Sequence, residues 1–121
     1  MYVFQNRDGL LSPLKTETGG LSGRPLFGLS TRVLAKVFVL TNGAIPLVGA
    51  GGISDAETAW TKLTAGATLL QLYSALVYQG PALVEAILRG LSQRLSRDNS
   101  SLSGIRGTAA ADIAHHGFSG T

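Results

Sequence analysis

The sequence contains no cysteine among its 121 residues. This absence excludes disulfides, thiolate nucleophiles and zinc sites built from thiolates. Long hydrophobic runs are also missing. The longest, residues 45–50 and 67–72, fall far short of the roughly 20 residues that a membrane-spanning helix needs. The start of the chain, MYVFQNRDGLL, has no basic region followed by an apolar core, so we predict no signal peptide.

Charged side chains are scarce, at 14% of the sequence, and ten Lys and Arg stand against seven Asp and Glu. The basic residues are scattered, with no run or stripe that would follow a nucleic-acid backbone, so we expect no nucleic-acid partner. The hydrophobic share of 45% is typical of a globular protein and not of a disordered chain. The length allows one domain of modest size.

Glycine and proline punctuate residues 1–29, which we interpret as a loop. Ser30 is then expected to cap a helix over about residues 31–41, closed by Asn42-Gly43. Residues 45–50 form a short apolar run of the kind buried on both faces in a parallel sheet. Ser54 with Glu57 three residues later resembles a capping box, which predicts a helix from there to about Ala65, ended by Gly66.

A second buried strand is predicted over residues 67–72, followed by a short turn at Gln79-Gly80. Pro81 is suited to the first turn of a third, amphipathic helix that continues to about Leu95. Residues 96–107 are polar and indicate a linker, and residues 108–115 could form a last short helix. We therefore divide the chain into residues 1–96 and a linker with a short tail, residues 97–121.

Strands that alternate with helices indicate parallel βαβ units, and so an α/β fold. Two or three strands cannot form a sheet that is covered on both faces and closed at its edges. A barrel of eight such units needs about 250 residues, so this chain would supply roughly the last third of a (β/α)8 TIM barrel, two or three units. Part of an open doubly wound sheet is the alternative. Both folds require further strands and helices in addition to those of this chain.

Small-residue turns occur where the predicted strands end or helices begin, at residues 19–23, 49–52 and 73–75. Barrels bind ligands at the carboxyl ends of their strands and often hold a phosphate at the last two loops. Glycine lets backbone N–H groups approach an oxyanion, and a helix N-terminus adds partial positive charge. Gly-Gly after a strand is also ordinary turn punctuation. The spacing of one αβ unit between Gly52 and Tyr73 favours a shared phosphate site on one rim.

Three segments, ETGGLSGRPL (17–26), IPLVGAGGIS (45–54) and AGATLLQLYSALVYQGP (65–81), resemble successive motifs of the quinone-linked (class 2) dihydroorotate dehydrogenases. The resemblance covers about residues 16–95 and, faintly, the tail around Asp112. It implies FMN as cofactor, oxidation of (S)-dihydroorotate to orotate in pyrimidine biosynthesis, and a membrane quinone as electron acceptor. It further implies that Gly23 contacts the flavin, that Gly52 binds the FMN phosphate, and that neighbouring residues complete the site. The cofactor-binding residues implied are Ser22, Gly23, Gly51, Gly52, Tyr73 and Ser74.

The family's serine base, its flavin-contacting lysine and its substrate-binding asparagines have no counterpart here, and residues 1–3 read Met-Tyr-Val where the family has Asn-Thr-Thr. We therefore assign no catalytic residue and expect the chain alone to be inactive and not to retain FMN. Membrane association is expected of the full-length family only, and this fragment would be cytoplasmic. Unpaired strand edges predict self-association. A non-catalytic remnant, or part of another phosphate-binding barrel, remains an alternative.

The other chemically notable residues are interpreted as structural. His115 and His116 are adjacent, so their side chains diverge, and we predict a solvated tail and no metal site. Asp55 and Glu57 favour the dipole of a helix's first turn, and Trp60 is expected in the core. No specific role is assigned to Arg24, Tyr78 or Gln79.

Overall fold

The structure is a computed structural model, and it describes residues 24–116. A single 3₁₀ turn, Arg24–Leu26, leads directly into α1, Phe27–Leu40. The helix thus begins earlier than predicted, inside the expected loop, and Ser30 is not its cap. Leu26 occupies the N-cap without a side-chain hydrogen bond, and the Ser30 hydroxyl donates to the carbonyl of Phe27 at 3.3 Å.

The end of α1 is as predicted, at the Asn42-Gly43 pair. Asn42 has a positive φ of 53°, and the N–H of Gly43 donates to the carbonyl of Phe38 at 3.0 Å. This bond returns the chain towards the helix it has just left, so the next strand can begin a few residues later.

Two parallel strands, β1 (Val48–Ala50) and β2 (Leu69–Gln71), form the sheet of the described residues, paired as Val48↔Leu69, Gly49↔Leu70 and Ala50↔Gln71. Both strands are shorter than predicted. The expectation of burial on both faces was wrong, because Val48 is 53% and Leu69 is 64% exposed. Only the face with Gly49 and Leu70 packs against helices, and no described element covers the other.

Helix α2 (Ala56–Ala65) connects the two strands and ends at Gly66, as predicted. Its N-cap is Asp55 and not Ser54. The Asp55 carboxylate accepts a hydrogen bond from the N–H of Thr58 at 2.8 Å, and the Thr58 hydroxyl accepts one from the N–H of Asp55 at 3.1 Å. A capping box is therefore present, one residue later than predicted and closed by Thr58 in place of Glu57.

After β2 the chain forms α3 (Ser74–Gln79), α4 (Ala82–Arg97), α5 (Leu102–Ile105) and α6 (Ala110–His116). Helix α3 was not predicted from the sequence, because its six residues are too few to show a period. Pro81 is the N-cap of α4, one residue before the first turn in which it was expected.

The segment predicted as a polar linker contains α5 and anchors the end of the chain. Ile105 is 7% exposed. The N–H groups of Gly107 and Ala109 donate to the carbonyls of Leu63 and Thr64 at 3.1 and 3.0 Å. These carbonyls lie in the last turn of α2, where the regular i+4 donors are missing. The Leu63 carbonyl also accepts from the N–H of Gly66 at 3.0 Å, so the tail adds a second bond there and supplies the bond at Thr64. The division of the chain at residue 96 stays a prediction.

Two apolar clusters hold the elements together. One joins α1 to α6, to the end of α2 and to the turn before β2, and the other joins α2, α4 and α5. The buried members of the first are Leu34, Ala35, Ala65, Ala67, Ala110, Ile113 and Ala114. Those of the second are Ile53, Ala59, Leu63, Leu83, Ile87, Leu91 and Ile105.

The ring of Phe38 is the meeting point of three turns. A Cβ added at Gly43 would lie 3.0 Å from the ring, one at Gly66 would lie 2.5 Å from it, and one at Gly107 would overlap it. The Arg106 guanidinium lies 5.2 Å from the ring centroid. The turns after α1, α2 and α5 therefore pack on one aromatic side chain.

Candidate functional site

A cavity of about 310 Å³ opens where β1 and β2 end. The pairing of Ala50 with Gln71 sets the two strand ends side by side, so the turns that follow them share one rim. This placement confirms that the two turns lie on one rim, as their spacing predicted, and the phosphate site expected there stays a prediction. The cavity is lined by Gly52, Ile53, Ser54, Ser74, Ala75, Tyr78 and Gln79.

The turn after β1 accepts only glycine. Gly51 and Gly52 have φ values of 95° and 78°, in the left-handed region that side chains disfavour. A Cβ on Gly52 would overlap Phe27, and one on Gly51 would lie 2.8 Å from the Ser30 hydroxyl. Among the described residues the N–H of Gly52 has no hydrogen-bond acceptor, so this donor is available to a ligand in the cavity.

The turn after β2 is more open. Ser74 begins α3 and lines the cavity, whereas Tyr73 is 76% exposed and is not one of the lining residues. The structure thus brings Gly52 and Ser74 together. Gly51 lies just behind them, at the junction with Ser30. Ser22 and Gly23 lie outside the described residues, as does the side chain of Arg24.

The residues that cap α2 are hydrogen-bonded to one another. The capping box uses the Asp55 carboxylate and the Thr58 N–H, and the N–H of Ser54 donates to the Thr58 hydroxyl at 2.9 Å. Glu57 forms an ion pair with Arg94 at 2.9 Å. Both acids therefore have structural partners, as the sequence predicted for a helix start.

Trp60 packs against the second apolar cluster, as predicted, and the Arg94 guanidinium lies 4.1 Å from its ring centroid. The rings of His115 and His116 are 6.5 Å apart, on exposed side chains. Within residues 24–116 no three His, Cys, Asp or Glu side chains are grouped as a metal site requires. No helix in this part of the chain is both long and apolar enough to span a bilayer.

Three polar residues at the site were not assigned to it from the sequence. Gln79 Nε2 donates to the carbonyl of Ser54 at 3.2 Å, which ties the end of α3 to the loop before α2. Ser30 lies behind the Gly51 turn. Lys62 is fully buried, and its Nζ donates to the Ser30 hydroxyl at 2.6 Å and to the carbonyl of Ala50 at 3.1 Å.

Burial lowers the pKa of Lys62 from 10.5 to about 7, because the charged form loses its hydration. The sequence did carry a signal for this residue. Lys62 follows Ala59 by three positions and so lies on the inward side of α2. A lysine at such a position must reach buried acceptors, since its ammonium cannot stay without hydrogen bonds.

Comparison with known proteins gives one family throughout. The family model described as "Dihydroorotate dehydrogenase" matches residues 6–95. A dihydroorotate dehydrogenase (quinone) of Cereibacter sphaeroides is 53% identical over 107 residues, which are 88% of this chain and 30% of that protein. A mitochondrial dihydroorotate dehydrogenase (quinone) of Oryza sativa subsp. japonica is 55% identical over 86 residues, 71% of this chain and 18% of that protein.

A solved structure shows the same relationship in three dimensions. The ligand-free dihydroorotate dehydrogenase of Eimeria tenella superposes with a TM-score of 0.77 at 31% identity. The match covers 84% of this chain and 28% of the Eimeria chain. The chain thus spans less than a third of the length of the relatives that it matches.

Proposed function

The chain belongs to the dihydroorotate dehydrogenase family and has the α/β fold of an incomplete (β/α)8 barrel, and from this premise we propose that it forms the FMN-phosphate-binding part of a quinone-dependent dihydroorotate dehydrogenase. The complete barrel would oxidise (S)-dihydroorotate to orotate and pass the electrons to a quinone. We propose a quinone as the electron acceptor because the relatives are named dihydroorotate dehydrogenase (quinone). Membrane association and the pyrimidine pathway follow for the complete protein on the same ground.

The observation that carries the proposal is the cavity shared by the turns after β1 and β2. The N–H of Gly52 faces no acceptor within the described residues, and Ser74 lines the same cavity. Small residues and backbone donors at the carboxyl ends of neighbouring parallel strands are the arrangement that binds phosphate in barrels. The residues present therefore fit the phosphate end of FMN.

FMN would supply the redox chemistry, since its ring accepts electrons that no side chain here can take up. The chain's own residues would bind and orient. Gly51, Gly52, Tyr73 and Ser74 would hold the phosphate, mainly through main-chain N–H groups, and Ser22 and Gly23 would contact the flavin. We assign no proton-abstracting residue to this chain, so the catalytic base would come from other parts of the barrel.

A hybrid barrel tests the proposal. In this hybrid barrel our chain replaces the 107 matched residues of the Cereibacter sphaeroides relative. We expect it to bind FMN in a one-to-one ratio, measured by flavin absorbance and fluorescence quenching, and to reduce a quinone analogue with dihydroorotate. Riboflavin, which lacks the phosphate, should bind at least about tenfold more weakly, because charge-assisted hydrogen bonds are lost.

The Cereibacter part without our chain is the control, and it should bind no flavin. A folded hybrid barrel that bound riboflavin as tightly as FMN would contradict the assignment of the phosphate site. Thermal stabilisation by a sugar phosphate, and not by orotate, would favour a different phosphate-binding barrel.

A further inference from the structure

The side chain of Lys62 runs from α2 past β1 to the back of the Gly51-Gly52 turn. Its Cβ lies 3.2 Å from where a Cβ of Gly49 would be, and its ammonium contacts the last carbonyl of β1 and the hydroxyl of Ser30 on α1. It also lies 5.0 Å from the centroid of the Phe27 ring. No acidic side chain of residues 24–116 pairs with it.

The contacts of Lys62 and Ser30 fix two consecutive peptide groups. The carbonyl of Ala50, which accepts from Lys62 at 3.1 Å, shares its peptide plane with the N–H of Gly51. The carbonyl of Gly51 lies 3.4 Å from the Ser30 hydroxyl and shares that hydroxyl's one hydrogen with the carbonyl of Phe27 at 3.3 Å. The same Gly51 carbonyl shares its peptide plane with the N–H of Gly52. In a planar trans peptide the C=O and N–H point in opposite directions. The N–H of Gly51 is therefore directed away from Lys62, and the N–H of Gly52 away from Ser30.

We propose that Lys62 is a positioning residue for phosphate binding: together with Ser30 it holds the carbonyls of Ala50 and Gly51, so that the N–H groups of the Gly51-Gly52 turn are directed at the anion. This inference rests on the proposed function, and it adds to that function a residue that does not touch the ligand. The hydrogen bonds of Lys62 and Ser30 would also hold the peptide groups of Gly51 and Gly52, which have left-handed φ values, in one orientation.

Packing alone does not account for a lysine at this place. A buried ammonium whose acceptors are a neutral carbonyl and a hydroxyl is costly, and an apolar side chain of similar length would fill the same volume without that cost. A positive charge directly behind the turn gives the lysine a role that methionine lacks, since it attracts an anion bound on the other side. A bound phosphate would in turn favour the protonated ammonium.

The test compares Lys62→Met with Lys36→Met in the hybrid barrel, using FMN and riboflavin as two ligands. Methionine retains the length of the side chain but removes the donors and the charge. We expect the dissociation constant of FMN to rise about tenfold or more, the loss typical of a hydrogen bond involving a charged group. Riboflavin should change by less than about twofold, because it has no phosphate for the turn to bind.

Lys36 is exposed on α1, so Lys36→Met removes the same charge far from the turn and should leave both ligands unaffected. Equal weakening of FMN and riboflavin by Lys62→Met would show a general packing defect and overturn the proposal. The proposal would also be overturned if Lys62→Met left the ratio of the dissociation constants of FMN and riboflavin unchanged. Failure of the unsubstituted hybrid barrel to prefer FMN would instead overturn the proposed function, and this inference with it.

Ser30→Ala provides a second measurement that does not depend on the folding of Lys62→Met. It removes the hydroxyl that joins the ammonium to the carbonyl of Gly51 while it keeps the charge. We expect a loss of FMN affinity of about threefold to tenfold, again without an effect on riboflavin. Unchanged FMN binding in this variant would overturn the proposal.

Discussion

The rim of the sheet and the outer flank of the chain are built in opposite ways. The rim, formed by the Gly51-Gly52 turn and Ser74, consists of small residues and is supported from behind by hydrogen bonds to backbone carbonyls. The flank is an apolar groove of about 250 Å³ along β2, α4 and α5. Its most exposed large side chains are Leu69 at 64%, Leu88 at 61%, Leu102 at 54% and Val84 at 42%.

The rim contains groups that the chain itself provides, whereas the flank is an apolar surface that other protein has to cover. The donors and supports of the rim come from α1, β1 and α2, so this part of the proposed phosphate site is formed within the chain. The flank exposes leucines and the free edge of β2, which stable proteins normally cover. We propose that the rest of the barrel covers the flank in the complete protein, and that a second copy covers it when the chain is alone.

The largest effect is expected from Gly52→Ala on the rim. The added methyl group overlaps Phe27 and must adopt a left-handed φ, so the free energy of unfolding of the hybrid barrel should fall by about 4 kcal/mol. Denaturant unfolding measures this. Gly80→Ala is the matched control, because Gly80 has a φ of 82° but no atom within 4 Å of an added Cβ. If Gly80→Ala lowered the free energy of unfolding as much as Gly52→Ala, the whole effect would come from the positive φ and none from the overlap with Phe27.

Stability should depend on pH through Lys62. Its pKa is about 7 in the folded protein against 10.5 for the unfolded chain. Between these values the unfolded chain binds a proton that the folded protein has released, so the free energy of unfolding rises with pH. The expected gain from pH 7 to pH 9 is about 2 kcal/mol. Lys62→Met should abolish this rise and Lys36→Met should retain it, in denaturant titrations of the hybrid barrel.

A smaller effect is expected on the flank. In the chain alone, Leu69→Lys combined with Leu88→Lys should raise the dissociation constant of self-association by about tenfold, because two apolar contacts are lost. Sedimentation velocity over a range of concentrations measures it. Leu40→Lys, at a side chain that is 83% exposed outside the flank, is the control. An equal effect at Leu40 would indicate non-specific association.

The smallest effect is expected for Tyr73→Ala. The side chain is 76% exposed, and its proposed contact with the phosphate uses the backbone N–H, which alanine retains. Stability should change by no more than about 0.5 kcal/mol and the dissociation constant of FMN by less than about threefold. A loss of flavin binding in a folded variant would show that the tyrosine ring itself contacts the cofactor.

The order of α1, β1, α2, β2 and α4 was readable from the sequence because each is an apolar run or has an apolar period. The short helices α3 and α5 were missed, and the helix starts were not located. Ser30 and Ser54 are both good cap residues, yet the chain uses Leu26 and Asp55, since the helix beginning is decided by packing and by the Thr58 hydroxyl. The exposure of Val48 and Leu69 could not be predicted, because a strand pattern does not say which neighbours are present.

At the site, glycine spacing and motif resemblance located Gly52 and Ser74 on one cavity, because strand pairing aligns turns that are one αβ unit apart. The support behind them was missed. Lys62 and Ser30 are 32 positions apart, and only the packing of α1 on α2 brings the ammonium and the hydroxyl together.

The contact of three glycines with Phe38 has a consequence for how this sequence can change over evolutionary time. While a phenylalanine occupies position 38, a side chain at Gly66 or Gly107 would collide with its ring. A smaller residue at position 38 would remove the collision and leave only the backbone cost of a positive φ. Substitutions at these positions are therefore not independent, and their order decides which of them selection can accept: the aromatic residue has to change first.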